Sequence, residues 1–262
     1  MERFRAAPRG LMTSVKGYVL AAARAAGVDL VRLRSVRHPI GRLARLMTSL
    51  GIDLVIDVGA NRGQFGLELR RAGYAGRIVS IEPLAEPFQR LSRLTATDER
   101  WTVIRSAVGS SAGSATMHVA ANGGASSSIL PMLELHDRVA PEARYVFDEH
   151  VDVATLDDLV QPHVRDGLTL FTKADVQGYE LQVLAGGTAT LARSSLVQLE
   201  MSLIPLYETA PTHRDVLEFM GQRGFQLVGI EPGFAAPTGL LLQADGLFAP
   251  DHATRSLQGV RS

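Results

Sequence analysis

The chain contains no cysteine, and only two of its 27 basic residues, Lys16 and Lys173, are lysine. Without cysteine it has no disulfides, no thiolate metal ligands and no cysteine nucleophile. The absence is also typical of a reducing compartment, so we expect a cytoplasmic protein. Any chemistry must therefore be carried by carboxylate, amide, imidazole, hydroxyl, guanidinium or ammonium groups.

Long apolar runs and net charge are also missing. No uninterrupted apolar run reaches the roughly 18–20 residues that a membrane-spanning helix needs, so no transmembrane segment is expected. The 27 acidic residues balance the 27 basic ones, which gives the whole chain no general attraction for nucleic acid. At 262 residues and 46% hydrophobic content, the chain is long enough to bury a full α/β core.

The charge is unevenly distributed along the chain. Residues 1–50 hold ten basic residues against two acidic ones, Glu2 and Asp29, so the other 212 residues carry a net charge of −8. This pattern predicts a basic, helical N-terminal extension over residues 1–50, followed by one domain over residues 51–262. The extension is a solvated amphipathic helix, a segment that packs on its own domain, or a surface that meets an acidic partner or a second copy in a homodimer.

From residue 51 onward, short β-branched runs alternate with amphipathic helical segments. This alternation predicts an α/β fold with a doubly wound, mostly parallel, seven-stranded sheet. The predicted strands are Leu54–Asp57, Arg77–Glu82, Trp101–Ser106, Leu168–Asp175, Leu196–Met201, Gln226–Ile230 and Leu240–Phe248. The predicted helices include Gly63–Ala72, Leu84–Leu94, Tyr179–Ala185 and His213–Gln222. Residues 120–150, rich in glycine, serine and proline, interrupt the pattern as a lid-like insertion over a cleft or a mobile surface loop.

A glycine turn between the first strand and the first helix is typical of a cofactor site. Its sequence, Gly59-Ala-Asn-Arg-Gly63, has no lysine and so is not a phosphate-binding P-loop. Asn61 stands where a dinucleotide site needs its second glycine, which disfavours NAD and FAD. S-adenosylmethionine (SAM) fits better, because Asp57 suits its ammonium and Glu82, at the next strand end, suits both ribose hydroxyls. A nicotinamide-dependent oxidoreductase and a non-catalytic scaffold remain the alternatives.

Several segments in chain order resemble the FkbM family of methyltransferases. They are Val55-Ile-Asp-Val-Gly-Ala-Asn-Arg-Gly63, Ile81-Glu-Pro83, Ser106-Ala-Val-Gly109, Ser126-Ser-Ser128, Val153-Ala-Thr-Leu-Asp-Asp-Leu159 and Lys173-Ala-Asp-Val-Gln-Gly-Tyr-Glu180. The resemblance implies a class I (Rossmann-like) fold and SAM-dependent O-methylation of a hydroxyl on a small glycan or glycoside. It also implies that Gly59, Ala60 and Asn61 line the amino-acid tail of SAM, and that Ser106 and Ala107 flank the adenine. Gln177 departs from the glutamate that is usual in the family.

Methyl transfer to a sugar hydroxyl needs a group that assists removal of the hydroxyl proton. Asp175 and Glu200 end neighbouring predicted strands, where they would serve as general base or as ligands of Mg²⁺. His150, where the insertion rejoins the sheet, is a further candidate base. The structural alternatives are a helix cap for Asp175, a solvent-facing acid for Glu200 and an exposed loop histidine for His150. Tyr145, Phe147 and Tyr207 are candidates for a surface that stacks against a sugar ring.

Overall fold

A computed structural model describes residues 15–257 and 259. The first fourteen residues of the predicted basic extension lie outside this part of the chain. The helices are α1 (Val15–Ala25), α2 (Pro39–Leu50), α3 (Gln64–Ala72), α4 (Ala85–Thr95), α5 (Glu134–Val139), α6 (Leu156–Val160), α7 (Glu180–Ala185), α8 (Thr188–Ala192), α9 (His213–Gly221) and α10 (Asp251–Leu257). The strands are β1 (Leu54–Val58), β2 (Arg77–Ile81), β3 (Trp101–Ile104), β4 (Ala107–Gly109), β5 (Gly113–Ala120), β6 (Tyr145–Thr155), β7 (Leu170–Ala174), β8 (Ser194–Ser202), β9 (Phe225–Pro232) and β10 (Gln243–Pro250).

Seven strands form the main sheet, in the order β3-β2-β1-β7-β8-β10-β9. The first five strands in this order pair in parallel, whereas β10 is antiparallel to both of its neighbours. The prediction of a doubly wound, mostly parallel, seven-stranded sheet is confirmed. The carboxyl ends of β1, β2 and β7 meet at one edge, where open α/β sheets bind their ligands.

The main sheet is covered on both faces. On one face, Val55, Phe171 and Leu196 pack with Leu43 of α2 and Leu69 of α3. The other face packs against helices α6 to α9, through the buried residues Ile56, Val79, Val183, Leu191, Val197, Val216 and Met220. All five residues of β1 are buried, as expected of a central parallel strand covered on both faces.

The second helix of the predicted N-terminal extension belongs to this core. Pro39 occupies the first turn of α2, and Gly51 ends the helix in a left-handed conformation. Ile40, Leu43 and Met47 on α2 are each at most 5% exposed. The predicted boundary at residue 50 therefore does not separate two independently packed units, because the amphipathic period of α2 provides a buried face for the sheet.

The predicted insertion, a lid-like segment or a mobile surface loop, is bounded by two strands. Its flanks form β5 and β6, which pair antiparallel, and β4 joins β6 in a second, three-stranded sheet. The alternation of polar and apolar residues in these strands is weak, so sequence periodicity did not reveal them. None of the helices in the described part of the chain combines the length and apolar content needed to span a bilayer.

Candidate functional site

The glycine turn after β1 lies against the loop that follows β7. Gly59 has φ of +77°, and a Cβ atom at this position would lie 1.9 Å from the backbone oxygen of Asp175. Asn61 also has a positive φ, +48°, a conformation that asparagine tolerates better than most residues. The turn therefore requires glycine at position 59 for two reasons: its backbone conformation and the close approach of the β7 loop.

The backbone amides of this turn are already hydrogen bonded. Gly59 and Ala60 donate to the carbonyl of Ile81 at 3.0 and 3.1 Å, and Asn61 donates to Oε2 of Glu82 at 2.8 Å. The amides of Gly59, Ala60 and Asn61 are therefore not free to bind a cofactor carboxylate. The turn instead shapes the cavity through its backbone surface, while its amides join β1 to β2.

Glu82 follows β2 and is 4% exposed. Its second oxygen, Oε1, accepts a hydrogen bond from the amide of Leu84 at 2.9 Å. Burial raises the pKa of Glu82 to about 7, although both backbone hydrogen bonds act in the opposite direction. Each carboxylate oxygen keeps a further lone pair, which fits acceptance of hydrogen bonds from two ribose hydroxyls.

Ser106 lies between β3 and β4, Ala107 is the first residue of β4, and both are buried. The Ser106 hydroxyl donates to the carbonyl of Ala107 at 2.7 Å, so it is turned toward the backbone. These two residues contribute to one wall of the cavity, together with Ile81, Val108 and Met117. A wall of this composition fits a flat heterocycle such as adenine.

One cavity of about 320 Å³ unites most of the predicted cofactor residues. Its volume falls in the range of small-molecule sites, roughly 300–1,000 Å³. The predicted residues among those that line it are Gly59, Ala60, Asn61, Glu82, Ser106, Ala107 and Asp175. Asp57, His150 and Glu200 do not line it. Gly124, Ala125, Ser127 and Ile129 of the insertion also line it, which places this segment over the cleft.

Asp57 lies beneath the cavity and is completely buried. Its Oδ1 is 3.6 Å from the ammonium of Lys173, its direct neighbour across β1 and β7. Burial raises the pKa of Asp57. The predicted contact between Asp57 and the SAM ammonium is therefore not supported, since the side chain faces Lys173 and does not line the cavity.

Lys173 and Asp175 form the charged end of β7. The Lys173 ammonium lies 3.2 Å from Oδ2 of Asp175 and 5.2 Å from the centre of the Phe65 ring. Burial alone would lower the pKa of Lys173, but the carboxylates of Asp175, Asp57 and Asp245 outweigh it and raise the pKa. Lys173 therefore carries its charge at neutral pH, with Asp175 at the cavity wall and Asp57 below.

Gln177 connects Asp175 to Glu200. Its Nε2 donates to Oδ1 of Asp175 at 3.0 Å and to Oε2 of Glu200 at 2.8 Å. Its Oε1 accepts a hydrogen bond from the Tyr207 hydroxyl at 2.6 Å. Gln243 gives Glu200 Oε2 a second amide donor at 2.7 Å. Burial, followed by repulsion from Asp175 and other acids, raises the pKa of Glu200 well above its usual value.

Tyr207 differs from its expected role as a sugar-stacking residue. It is completely buried, and its hydroxyl also contacts the carbonyl of Ser126 at 3.2 Å. The Ser128 hydroxyl also joins the insertion to the loop that contains Gln177, because it donates to the carbonyl of Gln177 at 2.8 Å. Tyr207 thus holds Gln177 and the insertion together.

Glu180, in the first turn of α7, braces the loop that follows β7. It is buried, and its Oε1 accepts hydrogen bonds from the amides of Val176 at 3.0 Å and Gly178 at 3.2 Å. Burial raises the pKa of Glu180 to about 7. Its carboxyl group therefore braces the loop in which Gln177 adopts a φ of +57°.

The donor set around Asp175 and Glu200 does not fit the predicted Mg²⁺ site. Lys173 and Gln177 occupy the two oxygens of Asp175, and two glutamine amides occupy Oε2 of Glu200. A cation between the carboxylates would have to displace Gln177 and approach the Lys173 ammonium. Among the described residues, no group of three or more His, Cys, Asp and Glu side chains is arranged to hold a metal.

His150 lies in the middle of β6 and is exposed, on the small sheet. Its Nδ1 is 3.1 Å from the Thr116 hydroxyl on β5. The imidazole is therefore paired across the small sheet and does not face the cavity that Asp175 lines. This position does not support the predicted role of His150 as a base for a reaction in that cavity.

Sequence reasoning missed Lys173, Gln177 and Tyr207 as a connected group. The lysine and glutamine were visible within the segment Lys173–Glu180, but their partners come from strands and loops distant in sequence.

The model of the methyltransferase FkbM domain matches residues 57–227 of the chain. The chain belongs to the FkbM methyltransferase family.

Solved structures of SAM-dependent methyltransferases are similar to the chain at low sequence identity. The magnesium protoporphyrin IX methyltransferase of Synechocystis PCC 6803, solved with bound SAM, is 11% identical, with a TM-score of 0.43 over 91% of this chain and 93% of that one. An rRNA methylase from Streptococcus thermophilus is 11% identical, with a TM-score of 0.44 over 85% of this chain and 99% of that one. No curated protein matches the chain.

Membership of the FkbM family and the strand order of the main sheet together identify the fold as that of a class I methyltransferase. The protein is a SAM-dependent methyltransferase. The cavity at the carboxyl ends of β1, β2 and β7 fits this cofactor in size, in the buried carboxylate of Glu82 and in the apolar wall near Ala107.

Proposed function

We propose that this FkbM methyltransferase transfers the methyl group of SAM to a hydroxyl of a sugar or oligosaccharide. The observation that carries the proposal is that Asp175 lines the same cavity as the glycine turn and Glu82. In-line displacement requires the acceptor oxygen to approach the methyl carbon opposite the sulfur. A proton acceptor in the cofactor cavity would suit such an approach, and alignment alone is worth up to about 7–11 kcal/mol.

The residues of this chain would divide the work of holding SAM. Glu82 would accept the ribose hydroxyls, and Ser106 and Ala107 would lie beside the adenine. Lys173 is the only basic side chain among the cavity-lining residues of the described chain. Lys173 would attract the tail carboxylate of SAM, whereas the amides of the glycine turn are already hydrogen bonded within the protein.

Asp175 would accept the proton of the attacking hydroxyl. Its side chain is 34% exposed, and hydrogen bonds from Lys173 and Gln177 fix its orientation while leaving one lone pair on each oxygen. General bases contribute roughly 10²–10⁴-fold to rates. Glu200 would act through Gln177 as a positioning partner. We favour this route over activation by Mg²⁺ because the Lys173 ammonium, 3.2 Å from Oδ2 of Asp175, would repel a second cation there. We favour it over His150 because His150 does not line the cavity.

The acceptor class follows from sequence resemblance, with support from the polarity of the site. FkbM-like enzymes methylate hydroxyls on sugars and other natural products. A narrower resemblance, to the actinobacterial sugar 1-O-methyltransferase of methylmannose polysaccharide synthesis, favours a glycan. Carboxylate and amide groups cluster where Asp175, Gln177 and Glu200 meet, and such groups suit a ligand rich in hydroxyls.

Transfer of a labelled methyl group from SAM to a panel of sugars and oligosaccharides tests the proposal. We expect O-methylated product, and a loss of at least about 100-fold in kcat for Asp175→Asn with an unchanged Kd for SAM. Asp166→Asn, in the exposed loop before β7, is the matched control and should be fully active. Full activity of Asp175→Asn would refute the assigned base. SAM binding without transfer to any hydroxyl would favour the scaffold alternative.

A further inference from the structure

Exposed apolar side chains concentrate in the segment from α1 to the start of α2, residues 15–37. Of the thirteen large apolar side chains that are exposed in the described chain, six lie here: Tyr18, Val19, Val28, Leu30, Val31 and Val36. Apolar side chains exposed singly are normal on soluble proteins, whereas a local concentration marks an interaction surface.

The same segment is strongly basic. Residues 15–37 contain five basic residues and one acidic residue, Asp29, a formal charge of +4. Asp29 lies 3.5 Å from Arg24, with both side chains about 70% exposed. Arg32 and Arg37 are exposed beside Val31 and Val36. Arginines interleaved with aliphatic side chains suit a lipid headgroup region, because the charged ends reach phosphates while the apolar groups enter the acyl boundary.

The segment is joined closely to the methyltransferase domain. A Cβ atom on Gly41 in α2 would lie 2.3 Å from the carbonyl oxygen of Ser35 and 2.4 Å from that of Leu33. The turn that precedes α2 therefore packs directly on a helix whose residues Ile40 and Leu43 are buried in the core. Whatever binds this segment would hold the whole domain near it.

A second copy of the chain is a poorer occupant of the same surface. In a two-fold dimer the segment would face itself, which would bring five basic residues of each copy together.

We propose that residues 15–37 dock the enzyme on an anionic membrane surface as a peripheral protein. The lipid would supply negative phosphates to the arginines and an apolar boundary to Leu30 and Val31. This docking is independent of the acceptor proposed above.

Cosedimentation of the full chain with lipid vesicles tests the proposal. We expect binding to vesicles of phosphatidylcholine mixed with phosphatidylglycerol, weak binding to phosphatidylcholine alone, and release at high salt, because Lys and Arg near an anionic surface are each worth about fivefold in affinity. Leu30→Asp should lower the partition constant at least about tenfold, and Arg32→Gln several-fold. Leu240→Asp, which changes a leucine of similar exposure outside the segment, is the control and should bind as the unmodified chain does.

Three results would overturn the proposal. They are no binding to the anionic vesicles, equal binding to both kinds of vesicle, and equal losses for Leu30→Asp and Leu240→Asp. Sedimentation equilibrium without lipid provides a separate check, because a dimer that dissociates in Leu30→Asp, with no vesicle binding, would make the segment an interface between copies. Thermal melting of each variant should match the unmodified chain, since these side chains are exposed.

Discussion

The side-chain amide of Gln177 donates to the carboxylate of Glu200 at 2.8 Å. The same amide nitrogen also donates to Asp175, so one neutral group separates two acids that would otherwise repel each other. The family usually has glutamate at this position. In this chain, the amide gives each carboxylate a fixed hydrogen-bond donor.

We expect Gln177→Glu to lower kcat at least about tenfold and the free energy of unfolding by about 1–3 kcal/mol, because a donor between two carboxylates becomes a third acid. The pKa of Glu200 should rise further, so the pH at which activity is half-maximal should increase. Urea denaturation and a pH–rate profile measure both effects.

Gln222 gives a matched control, because its Nε2 donates to Glu218 at 3.1 Å on the exposed surface of α9. Gln222→Glu should change stability by no more than about 0.5 kcal/mol and leave the pH profile unchanged. If Gln177→Glu behaves like this control, Gln177 has no positioning role.

The main sheet was predictable because its evidence is local. The buried run of β1, the strand-end position of Glu82 and the helix stop at Gly186 can each be recognised from a few neighbouring residues. The second sheet was not predictable in this way, since β5 and β6 pair across an insertion and their side chains alternate only weakly. The end of β3 was likewise placed too late, because a break at Arg105 separates it from β4.

The candidate site was predictable where the chain itself sets the geometry and not where distant contacts do. Gly59 must be glycine and Asp175 ends its strand, and both features are visible in sequence. That Lys173 lies beside Asp57, and that Tyr207 bonds Gln177, depends on strand order and loop packing. His150 was misplaced for the same reason, since its environment is decided by the partner strand β5.

The titration of Glu82 should make stability depend on pH. Its pKa is raised from an ordinary 4.5 to about 7 in the folded chain. The folded state then binds this proton more tightly than the unfolded state does. Protonation of Glu82 therefore makes its full contribution to the free energy of unfolding below pH 4.5, and this contribution is lost as pH rises through 7. Glu180 acts in the same direction.

We therefore expect the Tm of the cofactor-free protein to fall between pH 5 and pH 8. Glu82→Gln should reduce this fall, whereas Glu134→Gln, at an exposed side chain of α5, should leave it unchanged. Ribose hydroxyls would favour the ionised carboxylate, so SAM should bind more tightly as pH rises across this window. Parallel pH curves for the Glu82 variant and the unmodified chain would contradict the assignment.

Removal of divalent cations should leave the enzyme active. Because Lys173 and Gln177 already occupy the oxygens of Asp175, we expect kcat in EDTA to remain within about twofold of its value in Mg²⁺. The measurement is methyl transfer after dialysis against EDTA, followed by readdition of Mg²⁺, Mn²⁺ or Ca²⁺. Loss of activity that only Mg²⁺ restores would show that a metal reorganises this site.

Gly59 and Gly51 provide a matched pair for the close packing of the cofactor turn. Both have positive φ, +77° and +65°, but a Cβ on Gly59 would lie 1.9 Å from the Asp175 carbonyl oxygen, whereas one on Gly51 would meet nothing within 4 Å. Gly51→Ala should therefore cost only the backbone strain, about 1–2 kcal/mol. Gly59→Ala must also push the β7 loop away from β1, and we expect a loss above about 4 kcal/mol.

Urea denaturation of the two variants, with SAM titration of whatever remains folded, separates strain from collision. If Gly59→Ala folds, SAM binding should fall at least about tenfold, because displacement of the Asp175 loop changes the cavity wall. Gly51→Ala should bind SAM normally, since Gly51 caps the C-terminal end of α2 and does not line the cavity. Equal stability losses in the two variants would mean that the β7 loop yields freely and that its contact with Gly59 does not define the cofactor site.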